Sequence, residues 1–359
     1  MSEKPPANCG EPEPGEAEPG EAAPGVDVDV DADSGPEEPP PPSRPGLTTF
    51  TIEGRAAPGL FVVGWLASIS GLALVLIGAV SPSALFLYFL GPVVLTIGLV
   101  AGAGSQAIER RARGSAYAGP SPYLVFATIV AAVFAVGAVV GLGLRLVLGS
   151  TEVPGYLVNL VGVAIQATVF LGIIRLTVVG TEALTWTDMG WRRLDTNAIR
   201  NLLFGAALAI PVIGLTAVVA DALVAIFNQV PPSPLPATGL ATGLVVQLIA
   251  GAVIAPIAEE TVFRGFAISA WQRTVGERGA LVRASVVFAL AHVITVSGDS
   301  LAQVGGLIAV GFATRIPVAF ALGWLYLRTR SIWAPLGLHM AFNGILLILA
   351  EYVRMNGAA

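Results

Sequence analysis

The chain has 359 residues, of which 55% are hydrophobic and 12% charged, and its mean hydropathy is +0.78. These values exclude an ordinary water-soluble domain and indicate a protein embedded in a membrane. The net charge of −5 is unevenly distributed, because residues through Arg55 carry −10 and the remainder carries +5. The basic residues of the remainder form small clusters between apolar segments, so nothing favours nucleic-acid binding. Cys9 is the single cysteine, which excludes an intramolecular disulfide.

Residues 1–56 are predicted to form a disordered, acidic, proline-rich tail. Pro, Glu, Gly and Ala dominate it, and the alternating Val-Asp run near residue 30 is too short and too charged to build a core. The basic and apolar regions of a signal peptide are both missing. A solvated linker is the simpler interpretation, and a docking tail for a basic partner is the alternative.

From Leu60 onward, apolar runs of about 20 residues alternate with short polar loops, and a helix of that length crosses a bilayer. We therefore predict an all-α fold, a polytopic membrane helical bundle of about eight or nine transmembrane helices. Glycine spacing such as Gly137-xxx-Gly141 suits close helix contacts in lipid. The run near 298–327 contains Arg315 and Pro317, so a broken or partly re-entrant helix is expected there. The predicted spans are 60–80, 84–102, 123–148, 157–179, 201–227, 240–271, 284–298, 301–327 and 332–353.

Arginine clusters occupy the even-numbered loops between these spans, whereas the odd-numbered loops carry almost no positive charge. The positive-inside rule then places the N-terminus and the even loops in the cytoplasm, with the C-terminus outside. We expect a multi-pass protein of the plasma membrane. The clustered arginines are Arg110, Arg111, Arg113, Arg192, Arg193, Arg200, Arg273, Arg278, Arg283, Arg328 and Arg330.

Three of the apolar segments carry ionisable side chains, which are costly inside a bilayer and typically mark a functional site. They hold the chain's two histidines, His292 and His339, and the motif Glu259-Glu260-xxx-Arg264. At 1.5 Å per residue, both histidines lie roughly 13 Å from the nearest arginine loop, and Glu260 lies roughly 20 Å from one. Their comparable depth predicts one chamber in the cytoplasmic half of the bilayer.

The adjacent carboxylates suggest two different tasks. Glu260 and Arg264 are four residues apart and share a helix face, so they can form an ion pair. Glu259 is rotated by about 100° from Glu260 and is left free to act as a base toward a cavity. A structural interpretation stays open, in which both carboxylates pair with bundle arginines such as Arg264 and Arg315.

Each histidine also has a partner at helical spacing. Phe288 lies four residues before His292 and places an aromatic ring beside the imidazole. A glutamate at similar depth can share with this histidine the activation of one water as general base. His339 and Asn343 share a face, and both can donate hydrogen bonds, as an oxyanion hole requires. Ordinary hydrogen bonding within the helix bundle is the alternative for both segments.

The ordered set Glu-Glu-xxx-Arg, Phe-xxx-His and His-xxx-Asn on successive spans resembles the CPBP family, the type II CAAX prenyl endopeptidases and their bacteriocin-processing relatives. The run from Gly323 to His339 is also similar to that family's approach to its last motif. The resemblance covers roughly 240–350. We therefore predict an intramembrane protease core over 236–353, preceded by N-terminal transmembrane helices over 57–235.

The resemblance implies an intramembrane endopeptidase of the glutamic type that works without a cofactor. Its substrate would be a membrane-associated protein or peptide, including one of the CAAX type. In this assignment, Glu259 and His292 activate water, and His339 and Asn343 stabilise the oxyanion. The site is supported by Glu260, Arg264 and Phe288.

Two alternatives remain open. Because the family is often labelled metalloprotease, Glu259, His292 and His339 could be zinc ligands with water in the fourth position. The chain lacks a His-Glu-xx-His pair and identifiable outer partners for these ligands, which favours the metal-free mechanism. The other alternative is a non-catalytic membrane scaffold or a bacteriocin-immunity-like binding protein. A transporter is disfavoured, because no inverted repeat is found.

Overall fold

The architecture comes from a computed structural model, which describes residues 51–52, 55–56, 58–80, 82–112, 114–149, 151–231, 233, 236–293, 296 and 299–357. Most of the predicted tail over 1–56, and with it the docking role considered above, lies outside these residues. At the end of the tail, β1 (Thr51–Ile52) and β2 (Arg55–Ala56) pair as a minimal antiparallel hairpin.

Helices make up nearly all of the rest of the described chain. Three π-helical segments extend or join them: Arg175–Val179 continues α4, Leu248–Ile254 joins α7 to α8, and Thr261–Ile268 joins α8 to α9. A 3-10 turn, Pro82–Ala84, precedes α2. The α-helices are α1 (Pro58–Val80), α2 (Leu85–Ala112), α3 (Pro122–Leu148), α4 (Gly155–Ile174), α5 (Thr196–Ala207), α6 (Ala209–Phe227), α7 (Ala241–Gln247), α8 (Ala255–Glu260), α9 (Ser269–Ala291), α10 (Leu301–Thr329) and α11 (Trp333–Met355).

The helices have the length and the surface of a membrane bundle. Among the described residues, seven helical stretches are long and apolar enough to cross a bilayer, and a shorter apolar helix covers Gly59–Val75. Large apolar side chains cover their outer surfaces, and Leu146 and Val147 are 78% and 83% exposed. Such exposure is costly in water but is expected where hydrocarbon replaces water. The predicted all-α polytopic membrane bundle is confirmed.

The sixth and seventh predicted spans form one helical stretch, Ala241–Ala291, that turns back on itself. Gly276 interrupts α9 with a φ of 75° and a ψ of 172°, a conformation that glycine alone adopts at low cost. The rings of Phe263 and Phe288 are 5.1 Å apart between centroids, whereas a straight helix would separate these residues by roughly 38 Å. The arginine-bearing sixth loop is therefore a tight helical hairpin.

The seventh predicted span, 284–298, differs from the structure, in which α9 ends at Ala291. The side chain of His292 ends the helix. Its Nδ1 lies 2.8 Å from the Phe288 carbonyl oxygen, which would accept a backbone N–H if the helix continued. The arm over 277–291 is only roughly 22 Å long, less than the roughly 30 Å of a hydrocarbon core. Hydropathy alone predicts a later end for this helix, because the sequence stays apolar beyond His292.

The break expected near Arg315 and Pro317 is wrong, since α10 runs unbroken from Leu301 to Thr329. Proline removes one backbone hydrogen bond from this long helix. The packing of α10 between α6, α9 and α11 holds the helix together despite that loss. The arginine side chain also donates to the Gly311 carbonyl one turn earlier, over 2.7 Å, which reinforces the turn before the proline.

Glycines create close helix contacts, although not at the expected pair. Gly137 and Gly141 of α3 have open space where a Cβ would lie, so their spacing marks no contact in the described structure. Helices α5 and α11 meet instead at Gly205 and Gly337. A Cβ on Gly337 would lie 2.0 Å from the Leu202 carbonyl oxygen, and one on Gly205 would lie 1.9 Å from a carbonyl oxygen of α11.

Gly337→Ala is expected to destabilise the bundle by about 3 kcal/mol, the upper part of the range for overpacking, because its methyl group would overlap backbone that cannot rotate away. The measurement is the free energy of unfolding in detergent. Gly344→Ala on the same helix is the matched control, because its Cβ would meet its nearest neighbours at 3.7 and 3.9 Å, ordinary contacts. Equal stability of the two variants would contradict the close crossing of α5 and α11.

A polar cavity of about 650 Å³ lies between the α4–α5 connection, α9 and the end of α10. It includes none of the predicted catalytic residues. Asp188 holds together one of its walls: the Thr185 amide and hydroxyl donate to one carboxylate oxygen, and Arg273 donates to the other over 3.0 Å. These bonds, from Thr185 first, lower the pKa of Asp188 below its usual range.

Asp188→Asn is expected to reduce the free energy of unfolding at neutral pH by less than about 1 kcal/mol, because the ion pair is partly exposed. A carboxyl with a lowered pKa stabilises the fold above its unfolded-state pKa of about 3.9 and loses that contribution as the pH falls through the lowered value. The difference between variant and wild type should therefore persist from pH 7 to about pH 4 and shrink below it. A difference that grows on acidification would contradict this.

Candidate active site

The two adjacent glutamates lie at the end of the short helix α8, which has a π-helical segment on either side. π-helical turns inside α-helices are frequent at functional sites. Pro256 lies in the first turn of α8, and the wider π turn before it accommodates a residue that cannot donate a backbone hydrogen bond. This local geometry sends Glu259 and Glu260 toward different partners.

Glu260 lies at the centre of a fully buried charged cluster. Its Oε1 accepts from Nη1 of Arg264 at 2.9 Å, the ion pair predicted from the four-residue spacing. The same oxygen lies 2.7 Å from Nδ1 of His339 on α11. Arg264 also donates to the Ala319 carbonyl of α10 over 3.3 Å. One carboxylate thereby fixes the arginine on its own helix and the imidazole of another.

Glu259 points away from this cluster and toward both histidines. Its Oε2 lies 3.8 Å from Nε2 of His292 and 3.8 Å from Nε2 of His339. This oxygen is buried and has no hydrogen-bond partner within the described part of the chain. Its side chain and that of His292 remain 15% and 25% exposed, so this side of the site is accessible. The structure brings together the three groups that the sequence placed at one depth.

The hydrogen bonds of the two rings define which nitrogens face the chamber. Nδ1 of His292 lies against a backbone carbonyl, which can only accept, so this nitrogen carries the proton. Nδ1 of His339 likewise donates to the carboxylate of Glu260. In both rings Nε2 is therefore the atom that faces Glu259 and is free to receive or donate a proton.

Phenylalanines form the wall behind the histidines. The Phe288 ring lies 4.4 Å from that of His292 and 6.0 Å from that of His339, between centroids. It also covers the Arg264 guanidinium at 4.4 Å, within cation–π distance. Phe263 packs edge-on against its other side. The predicted contact between Phe288 and His292 is present, and the same ring shields the buried cluster from lipid and water.

Asn343 lies one turn after His339 on α11, as the sequence indicated. Its amide nitrogen donates to the Gly251 carbonyl in the π-helical segment before α8, over 2.8 Å. An amide has two N–H donors, so one remains for another acceptor. The contact ties α11 to the segment that carries the glutamates.

Sequence reasoning missed two features of the site. The Glu260–His339 hydrogen bond joins residues 79 positions apart, and no spacing rule reaches that far. Arg315 interacts electrostatically with both Glu259 and His292. The sequence named this arginine only as a structural partner of the carboxylates and as a point of helix breakage, and gave it no place beside His292.

The zinc alternative can be compared with the arrangement of its three candidate ligands. Among the described residues, no group of three or more His, Cys, Asp or Glu side chains is arranged to hold a metal ion. Tetrahedral zinc with bonds of about 2.1 Å has ligand atoms about 3.4 Å apart. Glu259 is 3.8 Å from each imidazole nitrogen, so these side chains would have to move closer together to bind zinc.

The fold and the site define a class of protein: a multi-pass helical membrane protein with a carboxylate–imidazole site among its helices. Residues 241–345 match the family model described as Rce1-like, Type II CAAX prenyl endopeptidase Rce1-like. This match over 241–345 supports the resemblance to the CPBP family that the motifs indicated. No curated protein and no solved structure matches the chain. The family supports a CAAX-type intramembrane protease function with a membrane-associated protein as substrate.

Proposed function

We propose that the protein is a glutamic-type intramembrane endopeptidase and that Glu259 is its general base. The supporting observation is the convergence of Glu259 Oε2 with the Nε2 atoms of His292 and His339, each at 3.8 Å. The gap of 3.8 Å between the two acceptors, Glu259 Oε2 and His292 Nε2, suits a water molecule that donates one hydrogen bond to each. General-base catalysis requires a base and a bound water in this relation.

In the proposed reaction, Glu259 takes a proton from water, with His292 orienting it, as the water oxygen attacks the peptide carbonyl carbon. The resulting oxyanion accepts hydrogen bonds from Nε2 of His339, in its imidazolium form, and from the second amide N–H of Asn343. When the C–N bond breaks, the proton held by Glu259 passes to the leaving amine. Glu260 keeps His339 in the required orientation throughout, through its bond to Nδ1.

The test is mass-spectrometric cleavage profiling of the purified protein in detergent against a library of membrane peptides. Wild type is compared with Glu259→Gln, and each is assayed with and without a chelator. Cleavage that survives chelation and disappears in the variant supports the proposal. Loss on chelation with recovery on zinc addition would favour the metal mechanism instead. A variant that still cleaves would exclude Glu259 as the base, and an intact library with both proteins would favour the scaffold or immunity-like function.

We also propose that the protein lies in the plasma membrane with its N-terminus in the cytoplasm, the orientation that the arginine clusters indicate. Cys9 is the only cysteine in the chain and lies in the tail, so the unmodified protein carries its own reporter. A membrane-impermeant maleimide is expected to label it only after cells are permeabilised. Labelling of intact cells would reverse the orientation.

A further inference from the structure

We propose that the polar cavity beside the α4–α5 connection binds the phosphate of an anionic lipid headgroup. The inference goes beyond the proposed peptidase function, because the cavity of about 650 Å³ includes none of the predicted catalytic residues. Its lining comes from the α4–α5 connection, α9 and the end of α10. Each of these segments contributes one arginine to it: Arg192, Arg273 and Arg330.

The lining of the cavity is positively charged. Against its three arginines stands one carboxylate among the described residues, that of Asp188, so the formal charge of the lining is +2. Glu277 forms an ion pair with Arg330 from outside the lining. Counting this ion pair still leaves one positive charge. The single negative charge of a phosphate diester would balance it.

Arg192 supplies the free donors of this site. Its Nε donates to the Arg330 carbonyl over 3.2 Å. Its two terminal nitrogens, with four N–H groups, have no acceptor in the described part of the chain. A guanidinium with both terminal nitrogens available is suited to a phosphate, which it binds through two parallel hydrogen bonds.

The other two arginines are already held in position. Arg273 donates to Asp188 over 3.0 Å. Arg330 donates to Gln272 over 2.7 Å and also to Glu277. Each guanidinium keeps further N–H groups beyond these bonds. Because both side chains are ordered before a ligand arrives, less conformational entropy is lost when they bind a phosphate.

Tryptophans place the cavity at the level of the lipid headgroups. The Trp333 indole donates to the Arg192 carbonyl over 3.1 Å, and its ring packs edge-on against Trp191 at 5.5 Å between centroids. Tryptophan is enriched at the membrane–water interface, and the three arginines lie in loops that the positive-inside rule places in the cytoplasm. The cytoplasmic leaflet carries anionic lipids, and basic pockets between helices on that side bind their headgroups.

A lipid also needs an apolar surface for its acyl chains, and such a surface begins directly after Arg192. Leu194, Ile199 and Leu203 follow along the chain into α5, and all three side chains are exposed. A lipid with its headgroup in the cavity would keep its acyl chains in the hydrocarbon beside α5. A phosphate dissolved in water would leave this surface unused, which favours a lipid as the source of the phosphate.

The experiment measures lipid binding to the full-length protein in detergent by native mass spectrometry. Dioleoylphosphatidylglycerol is the anionic lipid, and dioleoylphosphatidylcholine is the lipid without net charge. Wild type is expected to bind the anionic lipid about tenfold more tightly, the effect of one charge-assisted contact. Arg192→Gln should remove most of this preference, and Arg192→Lys should recover part of it. The side chain of Arg192 makes one hydrogen bond within the described structure, so the unfolding temperature should stay close to that of wild type.

Arg193→Gln is the matched control, because it removes the same charge from the next position, which is exposed and outside the cavity lining. It should change the preference by less than about twofold, since salt screens exposed charges that do not contact the ligand. An equal loss in Arg192→Gln and Arg193→Gln, or no preference in wild type, would overturn the proposal. Glycerophosphate distinguishes the two sources of phosphate. If it displaces the anionic lipid at equal concentration, the cavity binds a soluble phosphate and the assignment to a lipid is wrong.

Discussion

Replacing Glu259 by Gln, His292 by Gln, or both together is expected to lower kcat by about 10²–10⁴, the usual contribution of a positioned general base. The two residues activate one water, so the double variant should lose little more than the worse single variant. Glutamine keeps the size of Glu259 and removes only its ability to take the proton. At His292 it keeps a polar side chain and removes the ring nitrogen that orients the water. Single-turnover cleavage of a membrane peptide is the measurement.

Folding must be unchanged for this comparison to have meaning, and both side chains are partly exposed, at 15% and 25%. The unfolding temperature in detergent should stay close to that of wild type. Strictly additive losses in the double variant would show that the carboxylate and the imidazole act at separate steps. The shared water of the proposed mechanism would then be wrong.

Glu260→Gln is expected to reduce the free energy of unfolding by about 3–5 kcal/mol, the cost of leaving one partner of a buried ion pair uncompensated. Arg264 is 1% exposed and would keep its charge in an apolar surrounding without the carboxylate at 2.9 Å. Chemical unfolding in detergent gives the stability. Activity should fall as well, because Nδ1 of His339 loses the acceptor that orients it.

The double variant Glu260→Leu/Arg264→Met distinguishes the two effects. Removing both charges together should restore much of the stability, since apolar replacements of buried pairs are often neutral. Activity should not return, because the imidazole remains unanchored. Glu277→Gln serves as the control, since its ion pair with Arg330 is half exposed and should cost no more than about 1 kcal/mol. A stable single variant would show that Glu260 does not compensate a buried charge.

The sequence predicted several contacts of the candidate site because these contacts are local within each helix. The four-residue spacing between Glu260 and Arg264 produced the ion pair that the structure contains, and the same spacing set Phe288 against His292. Their shared depth predicted that Glu259 and both histidines line one chamber, and the structure places the carboxylate 3.8 Å from each imidazole. In a bilayer, depth is fixed by hydropathy and loop charge, so one sequence can supply a coordinate that soluble proteins do not reveal.

What escaped prediction depends on contacts between distant elements or on side chains that replace backbone bonds. The Glu260–His339 bond crosses from α8 to α11, and only the fold brings these helices together. The end of α9 depends on a ring nitrogen of His292, which hydropathy cannot register. The continuity of α10 through Pro317 depends on neighbouring helices that outweigh one missing hydrogen bond. Glycine spacing likewise cannot say which glycines face a neighbour, as Gly137 and Gly337 show.

The second arm of α9, over 277–291, is short, and this affects how water reaches the site. The last turn of a helix cannot bond all of its carbonyl groups to its own backbone, and α9 ends at Ala291, at a depth where lipid offers no donors. Hydration of those carbonyls by water admitted between the helices would meet this need beside His292, where hydrolysis consumes water. In that case the early end of the helix also determines how much water enters the chamber. A longer arm would then exclude from the chamber the water that hydrolysis consumes.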